Sequence, residues 1–286
     1  MSRNCVGQSD VWFAWYITEC DPVLSVPELP EVERAARALS RAALGKTIAA
    51  VRAIHPALKR KLPPGRARAV RGKSIQTIER RGKHQLLGLD NGDTLVVHFR
   101  MNGDWLIGRT SDELDRFARA VIELQDGTRI SLVDRRALSS ITLDKEGISS
   151  LPKLGKEASD RTLDASYLAD VLSRRKIPIK PALMDQSVLA GLGNIYAAEA
   201  LWEAELDPRS PASKVSREKL EKLLEAIRLV LSPRQRRPGR YTDSRNRERF
   251  AVYDREGKEC RRCGGIIERI AQAGRSTYFC PDCQTG

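Results

Sequence analysis

The chain lacks any apolar run near the roughly 18 residues that a membrane-spanning helix needs. The longest early one, Val11 to Ile17, is short and flanked by acidic rather than basic residues. No membrane span and no secretory signal are expected, and a reducing, cytoplasmic setting is the expected location. Internal repeats are absent as well. Cysteine is sparse, and four of the six residues cluster near the end in Cys-x-x-Cys pairs. In a chain without a signal segment, that arrangement points to metal rather than to disulfides. Acidic residues are also in deficit. The 37 Asp and Glu face 50 Lys and Arg, for a net charge of +13, which favours a polyanionic partner through counterion release. Nucleic acid leads on charge, but basic proteins without such a partner are common, so the motifs must decide.

Residues 1–25 differ in composition from the rest of the chain. They hold one basic residue against three acidic ones, two of the four tryptophans, and both cysteines outside the terminal cluster. From Glu31, the sequence EVERAARALSRAALG places Val32, Ala35, Ala36, Leu39 and Ala43 on one helical stripe. Pro30 sits near the first turn and Gly45 acts as a stop. Between Thr47 and about Leu143, short β-type runs alternate with turn residues. Asn91-Gly92 and Asp126-Gly127 read as hairpin turns, so a two-layer antiparallel sandwich is expected. Leu151 to Ala158 reads as a linker. From Asp164 the periodicity becomes helical, broken by prolines and glycines into at least four helices. Arg234 to Arg249 carries seven arginines and two acids and reads as a basic loop.

Three constellations carry chemistry. Cys260-x-x-Cys263 and Cys280-x-x-Cys283, separated by sixteen residues, have the spacing of a closed four-thiolate zinc site, structural rather than catalytic. The metal would staple a β-hairpin too small to fold alone. Arg275 near the hairpin tip is a candidate phosphate contact. Gly191-x-Gly193 before a helix suits an anion at a helix N-terminus, with Asn194 as a side-chain donor and Lys180 a charge upstream. The stretch SVPELPEVE places Glu28, Glu31 and Glu33 at a helix start, where capping is the ordinary role. A free N-terminal proline, however, is a secondary amine able to attack a sugar C1′, with a neighbouring carboxylate moving protons.

In this order, PELPEVE, RRGKHQLL, IKPALMDQSVLAGLGNIYAAEALW and GRSTYFCPDCQ resemble motifs of the formamidopyrimidine-DNA glycosylase/endonuclease VIII family of base-excision repair enzymes. The likeness runs from Pro27 to about Gln284. It implies an α+β multidomain chain: a leader at 1–26 absent from the mature enzyme, a catalytic β-sandwich domain with a leading helix at 27–150, and a helix-two-turn-helix domain at 151–232. A basic lid loop at 233–249 and a zinc finger at 250–286 complete it. Carried across by position, Pro27 is the nucleophile, Glu28 the acid that protonates the deoxyribose, Glu31 an organising carboxylate and Lys83 a lysine near the lesion. Asn194 and Arg275 grip phosphate, and Lys180 is a further DNA contact. Met101 and Leu138 fill the vacated space beside Arg136. The implied partner is damaged double-stranded DNA, the implied cofactor one structural zinc, and the expected state a monomer.

The sequence also departs from the family pattern. Leu138 stands where phenylalanine is usual, a smaller wedge that gives up aromatic stacking worth roughly 1 to 3 kcal/mol per base. The alternative role for Met101 and Leu138 is core packing. Leu29 favours the formamidopyrimidine and 8-oxoguanine branch, since the endonuclease VIII branch, which prefers oxidised pyrimidines, typically has glycine there. In the chain as written, Pro27 is acylated by Val26, and its nitrogen is an unreactive amide. This leaves two readings. Either the leader is removed, or not translated because Val26 is the start codon, and the protein is a glycosylase with lyase activity by β- and δ-elimination; or it binds damaged DNA without cutting it. An RNA binder is the remoter alternative.

Overall fold

A computed structural model describes residues 27–232 and 250–286; the leader and the whole of the arginine-rich loop lie outside the described residues. Helix α1 (Leu29–Ala43) buries the stripe read from its periodicity, with Val32, Ala35, Ala36, Leu39 and Ala43 all inside. Eight strands come next: β1 (Ile48–Ala53), β2 (Ile75–Arg81), β3 (His84–Leu89), β4 (Thr94–His98), β5 (Asp104–Arg109), β6 (Ala118–Leu124), β7 (Thr128–Val133) and β8 (Ser140–Asp144). They form two antiparallel sheets ordered β1-β6-β7-β5 and β2-β3-β4-β8. Ile48, Ile122, Ile130 and Leu132 from the first sheet meet Ile75, Leu87, Leu95, Val97 and Ile141 from the second in one core, as in a sandwich whose inner faces interdigitate. Gly92 and Gly127 take positive φ in the expected hairpin turns. Two short helices, α2 (Pro56–Lys61) and α3 (Pro64–Ala69), lie in the β1–β2 connection, anchored by buried Leu58, Leu62, Ala67 and Val70.

A second core is helical, built by α4 (Ala165–Leu172), α5 (Ile179–Met184), α6 (Asn194–Glu203) and α7 (Arg217–Leu231). Leu29 from the first turn of α1 packs into this helical core rather than the sandwich core, so the helix start is wedged between the domains. The segment expected to be only a linker is more than that. Lys156–Glu157 forms β9, pairing in parallel with Leu189–Ala190, β10. This clips the connection to the strand that runs into the Gly191-x-Gly193 turn. The chain ends in an antiparallel hairpin of β11 (Glu268–Gln272) and β12 (Arg275–Phe279). Among the described residues, no helix is long and apolar enough to cross a membrane.

Candidate active site and nucleic-acid interface

Glu28 is fully buried, and besides its part in the capping box of its own helix with Glu31, its carboxylate reaches a second helix. Its Oε1 accepts the Ile195 N–H at 2.9 Å and its Oε2 the Tyr196 N–H at 3.3 Å, both in the first turn of α6. These amides belong to the first turn, where no carbonyl of the helix itself can accept them. Glu31 organises the same corner. Its Oε2 accepts the Glu28 N–H at 3.2 Å and its Oε1 the Tyr196 hydroxyl at 3.0 Å. Pro27, also buried, immediately precedes this pair.

The two glycines of the turn allow the close approach. Gly191 has φ +93, and a Cβ there would lie 2.4 Å from Leu29. A Cβ on Gly193 would meet the Glu28 carboxyl carbon at 2.2 Å and Lys83 Nζ at 2.5 Å. The lysine and the glutamate therefore flank one point above the α6 N-terminus. Gln186 fixes the loop, accepting the Gly191 N–H at 2.9 Å and donating to the Leu192 and Met184 carbonyls at 2.8 and 2.9 Å. Burial pushes the Lys83 ammonium below its ordinary pKa, and Arg275 pushes the same way, while Glu28 and Glu31 oppose them.

Lys83 sits on the β2–β3 turn, which an ion cluster holds across the domain boundary. Glu157 Oε1 accepts the Gly82 N–H at 2.6 Å and Arg81 at 2.5 Å, and its Oε2 accepts Arg80 at 2.5 Å. Arg80 reaches Glu33 on α1 at 2.8 Å as well. Arg80, Arg81 and Glu157 were not among the sequence candidates, because their pairing spans more than seventy residues and has no local signature.

Asn194 and Lys180 are brought together, in a role that differs from the expectation for the lysine. Lys180 is only 1% exposed. Its ammonium donates to Asn194 Oδ1 at 2.5 Å, Thr277 Oγ1 at 2.8 Å and the Ser276 carbonyl at 3.2 Å. With its three donors engaged inside the protein, it ties α5 and α6 to β12 rather than presenting charge outward. Burial lowers its pKa to about 8. Asn194 Nδ2 donates to the Ser276 carbonyl at 3.1 Å. Arg275, exposed at the start of β12, pairs with Gln272 through the hairpin ladder while its guanidinium makes no hydrogen bond among the described residues, and its charge depresses both Lys83 and Lys180. Tyr253, which sequence reasoning missed, stacks edge-on with Phe250 and Tyr278 at 5.9 and 5.2 Å. Its hydroxyl, hydrogen-bonded by Asn194, is raised to about 12, mainly by burial.

Two turns of the sandwich domain present the remaining candidates. Arg100, at φ 54, donates its N–H to His98 Nδ1 at 2.8 Å and turns the chain so that Met101 is half-buried. Asp134 latches the other turn, accepting the N–H groups of Arg136 at 2.9 Å and of Leu138 and Ser139 at 2.7 Å. Arg136 is exposed and Leu138 is 42% exposed, so core packing is not the role of Leu138. The expected lid loop lies outside the described residues.

The sulfurs of Cys260, Cys263, Cys280 and Cys283 lie within 4.8 Å of one another, with Cys260–Cys283 at 3.8 Å and Cys263–Cys280 at 3.6 Å. Thiolates bound about 2.3 Å from a tetrahedral zinc sit roughly 3.8 Å apart, so the set fits that ion. Donors already face the sulfurs: Trp202 Nε1 at 3.4 Å and the Arg262 N–H at 3.5 Å on Cys260, and the Gly265 N–H at 3.4 Å on Cys263.

An antiparallel sandwich and a helical domain that meet at one buried glutamate, with a cysteine hairpin tied to the helical domain through Lys180 and Asn194, are the parts of a nucleic-acid-processing class. Three family models cover these parts. The formamidopyrimidine-DNA glycosylase N-terminal domain matches residues 26–141, its H2TH domain residues 154–237, and the zinc finger found in FPG and IleRS residues 257–286. The formamidopyrimidine-DNA glycosylase of Chloroflexus aurantiacus is 39% identical over 271 residues, covering 91% of this chain and 98% of the relative. That of Heliobacterium modesticaldum is 40% identical over 276 residues, covering 91% and 100%. Among solved structures, the Lactococcus lactis glycosylase bound non-covalently to DNA containing an AP site superposes with a TM-score of 0.82 at 28% identity, covering 91% of this chain and 100% of that one. The chain belongs to the formamidopyrimidine-DNA glycosylase family.

Proposed function

We propose that the protein removes formamidopyrimidines and 8-oxoguanine from duplex DNA and then cleaves the abasic strand, with Pro27 as the first residue of the working chain. The observation that carries this is the buried Glu28 carboxylate, held by two α6 amides next to Lys83 and one residue from Pro27. As a secondary amine, the Pro27 nitrogen attacks C1′ of the damaged nucleoside. The new N–C1′ bond replaces the C1′–base bond, whose electron pair leaves with the base. Glu28 takes up the proton that the nitrogen sheds and delivers it to the ring oxygen as the sugar opens, and an iminium results. Loss of a C2′ proton then expels the 3′ phosphate by β-elimination, and a second, δ-elimination expels the 5′ phosphate.

DNA lies between the sandwich and the helical domain. Asn194 and Arg275 hold phosphate beside the lesion, and Lys180 acts indirectly by fixing Asn194 against β12. A bend at this grip lowers the cost of extruding the base, while Met101, Arg136 and Leu138 occupy the space left behind. One zinc held by the four cysteines is structural, since four thiolates leave no open coordination position. The protein acts as a monomer in the cytoplasm.

Assay of a chain beginning at Pro27 on duplexes carrying 8-oxoguanine, a formamidopyrimidine or an oxidised pyrimidine tests the reading. Base release with strand cleavage is expected from the first two substrates. Preference for the pyrimidine would move the protein to endonuclease VIII-like specificity. A second reading rests on the Val26–Pro27 bond: while it persists, the nitrogen is an amide, and the protein binds damaged DNA without lyase activity.

A further inference from the structure

Between Ile54 and Ile78 the chain carries seven Lys or Arg and no Asp or Glu. Lys59, Arg60 and Lys61 on α2, and Arg66, Arg68 and Arg71 on or beside α3, are all exposed. Among the described residues none of them makes an ion pair. Other arginines of the same domain do, such as Arg34 with Asp104 and Arg52 with Glu123. Leaving so many like charges unpaired on one connection costs stability through self-repulsion. The repulsion is visible at Lys61, whose pKa is lowered by burial and then by Arg100 and Arg60.

The helices that carry these charges are firmly seated. His55 caps α2 by accepting the Ala57 N–H at 3.3 Å, and Leu58 and Leu62 are fully buried in the sandwich core. Pro63 and Pro64 join α2 to α3 with fixed φ. The placement of α2 is specific. It packs against β8, the strand that leaves the Leu138 turn. Lys61 at its end acts electrostatically on Arg100 and His98, the residues that shape the Met101 turn. The cationic edge thus adjoins the Met101 turn and the strand that leaves the Leu138 turn.

We propose that α2, through Lys59, Arg60 and Lys61, is a phosphate-binding arm that grips the duplex flanking the lesion on the side of the Met101 and Leu138 turns. It supplies sequence-independent affinity and leaves lesion choice to the cleft. The proposal rests on the reading that the cleft receives duplex DNA, and extends that interface to a surface outside it.

The test is equilibrium binding of the K59Q/R60Q/K61Q variant to undamaged duplex across a salt series. Each phosphate contact contributes about 0.9 to the slope of log K against log salt on duplex DNA. Loss of three contacts therefore lowers the magnitude of the slope by about 2.7, so that a fourfold rise in salt costs the variant roughly 40-fold less affinity than it costs the parent. The K59R/K61R variant, which keeps the charge, retains the parental slope. An unchanged slope in the neutralised variant overturns the proposal, as does an equal loss on single-stranded DNA or RNA, which would make the arm a general polyanion surface. Because no bond is broken in this measurement, its failure is separate from a failure of the glycosylase reading, which shows only in base release.

Discussion

A β-carbon on Gly193 would sit 2.2 Å from the carboxyl carbon of Glu28. The turn is therefore as much a part of the acid's site as the helix amides are. Gly193 has φ −131, extended backbone that alanine adopts without strain, so the need for glycine here is one of space. Gly193→Ala must displace the glutamate, the lysine or the turn. Misplacement by about 1 Å costs on the order of 100-fold in rate. Single-turnover excision should fall by that order, while thermal unfolding shows that the fold persists.

Lys180→Met keeps the length of the side chain and removes its three donors. Asn194 Oδ1 and Thr277 Oγ1 then lose a buried partner, at about 1 to 3 kcal/mol per group left unsatisfied. Affinity for a duplex carrying an abasic-site analogue should drop by roughly 10-fold or more, since 1.4 kcal/mol is tenfold, with little change in the salt slope. A full unit lost from the slope would instead show that Lys180 contacts a phosphate directly.

His84 and His98 stack edge-on, 4.5 Å between ring centres. Burial, followed by the Arg100 charge on His84 and the His84 charge on His98, lowers their pKa values to about 4 and about 3. From these values up to the ordinary 6.5, the unfolded chain binds more protons than the folded one, so stability rises with pH across that window. Acidification from pH 7 to 4 should destabilise the protein, and protonating His98 also removes the acceptor that holds the Arg100 N–H. Urea midpoints at stepped pH provide the measurement. The H84Q/H98N variant should decline less steeply than the parent, and equal slopes would remove these histidines from the account.

Much of this was legible in the sequence because its signals are local. The stripe of α1, the Asn91-Gly92 and Asp126-Gly127 turns and the paired Cys-x-x-Cys knuckles each lie within a short window, and each forms as read. What was not legible depends on distant partners. Glu28 looks like a cap for the helix it begins, and it is one, but it also caps a helix more than 160 residues away. Lys180 looks like a surface cation because nothing nearby in sequence announces Thr277 and Ser276 as its acceptors. The Lys156–Glu157 clip hid in a segment whose proline and glycine read as linker, since a two-residue strand is too short for any periodicity. The acid-free connection over α2 and α3 was visible in the sequence, but without the fold it had no address.

The proposed chemistry turns on the Pro27 nitrogen as the nucleophile. Borohydride reduction of a chain beginning at Pro27, incubated with duplex containing an abasic site, tests it most directly, with the same chain extended by Val26 as the comparison. A covalent protein–DNA adduct that peptide mapping places on Pro27 is expected, and none from the extended chain. An adduct mapped to Lys83, or equal trapping when Val26 precedes the proline, would contradict it.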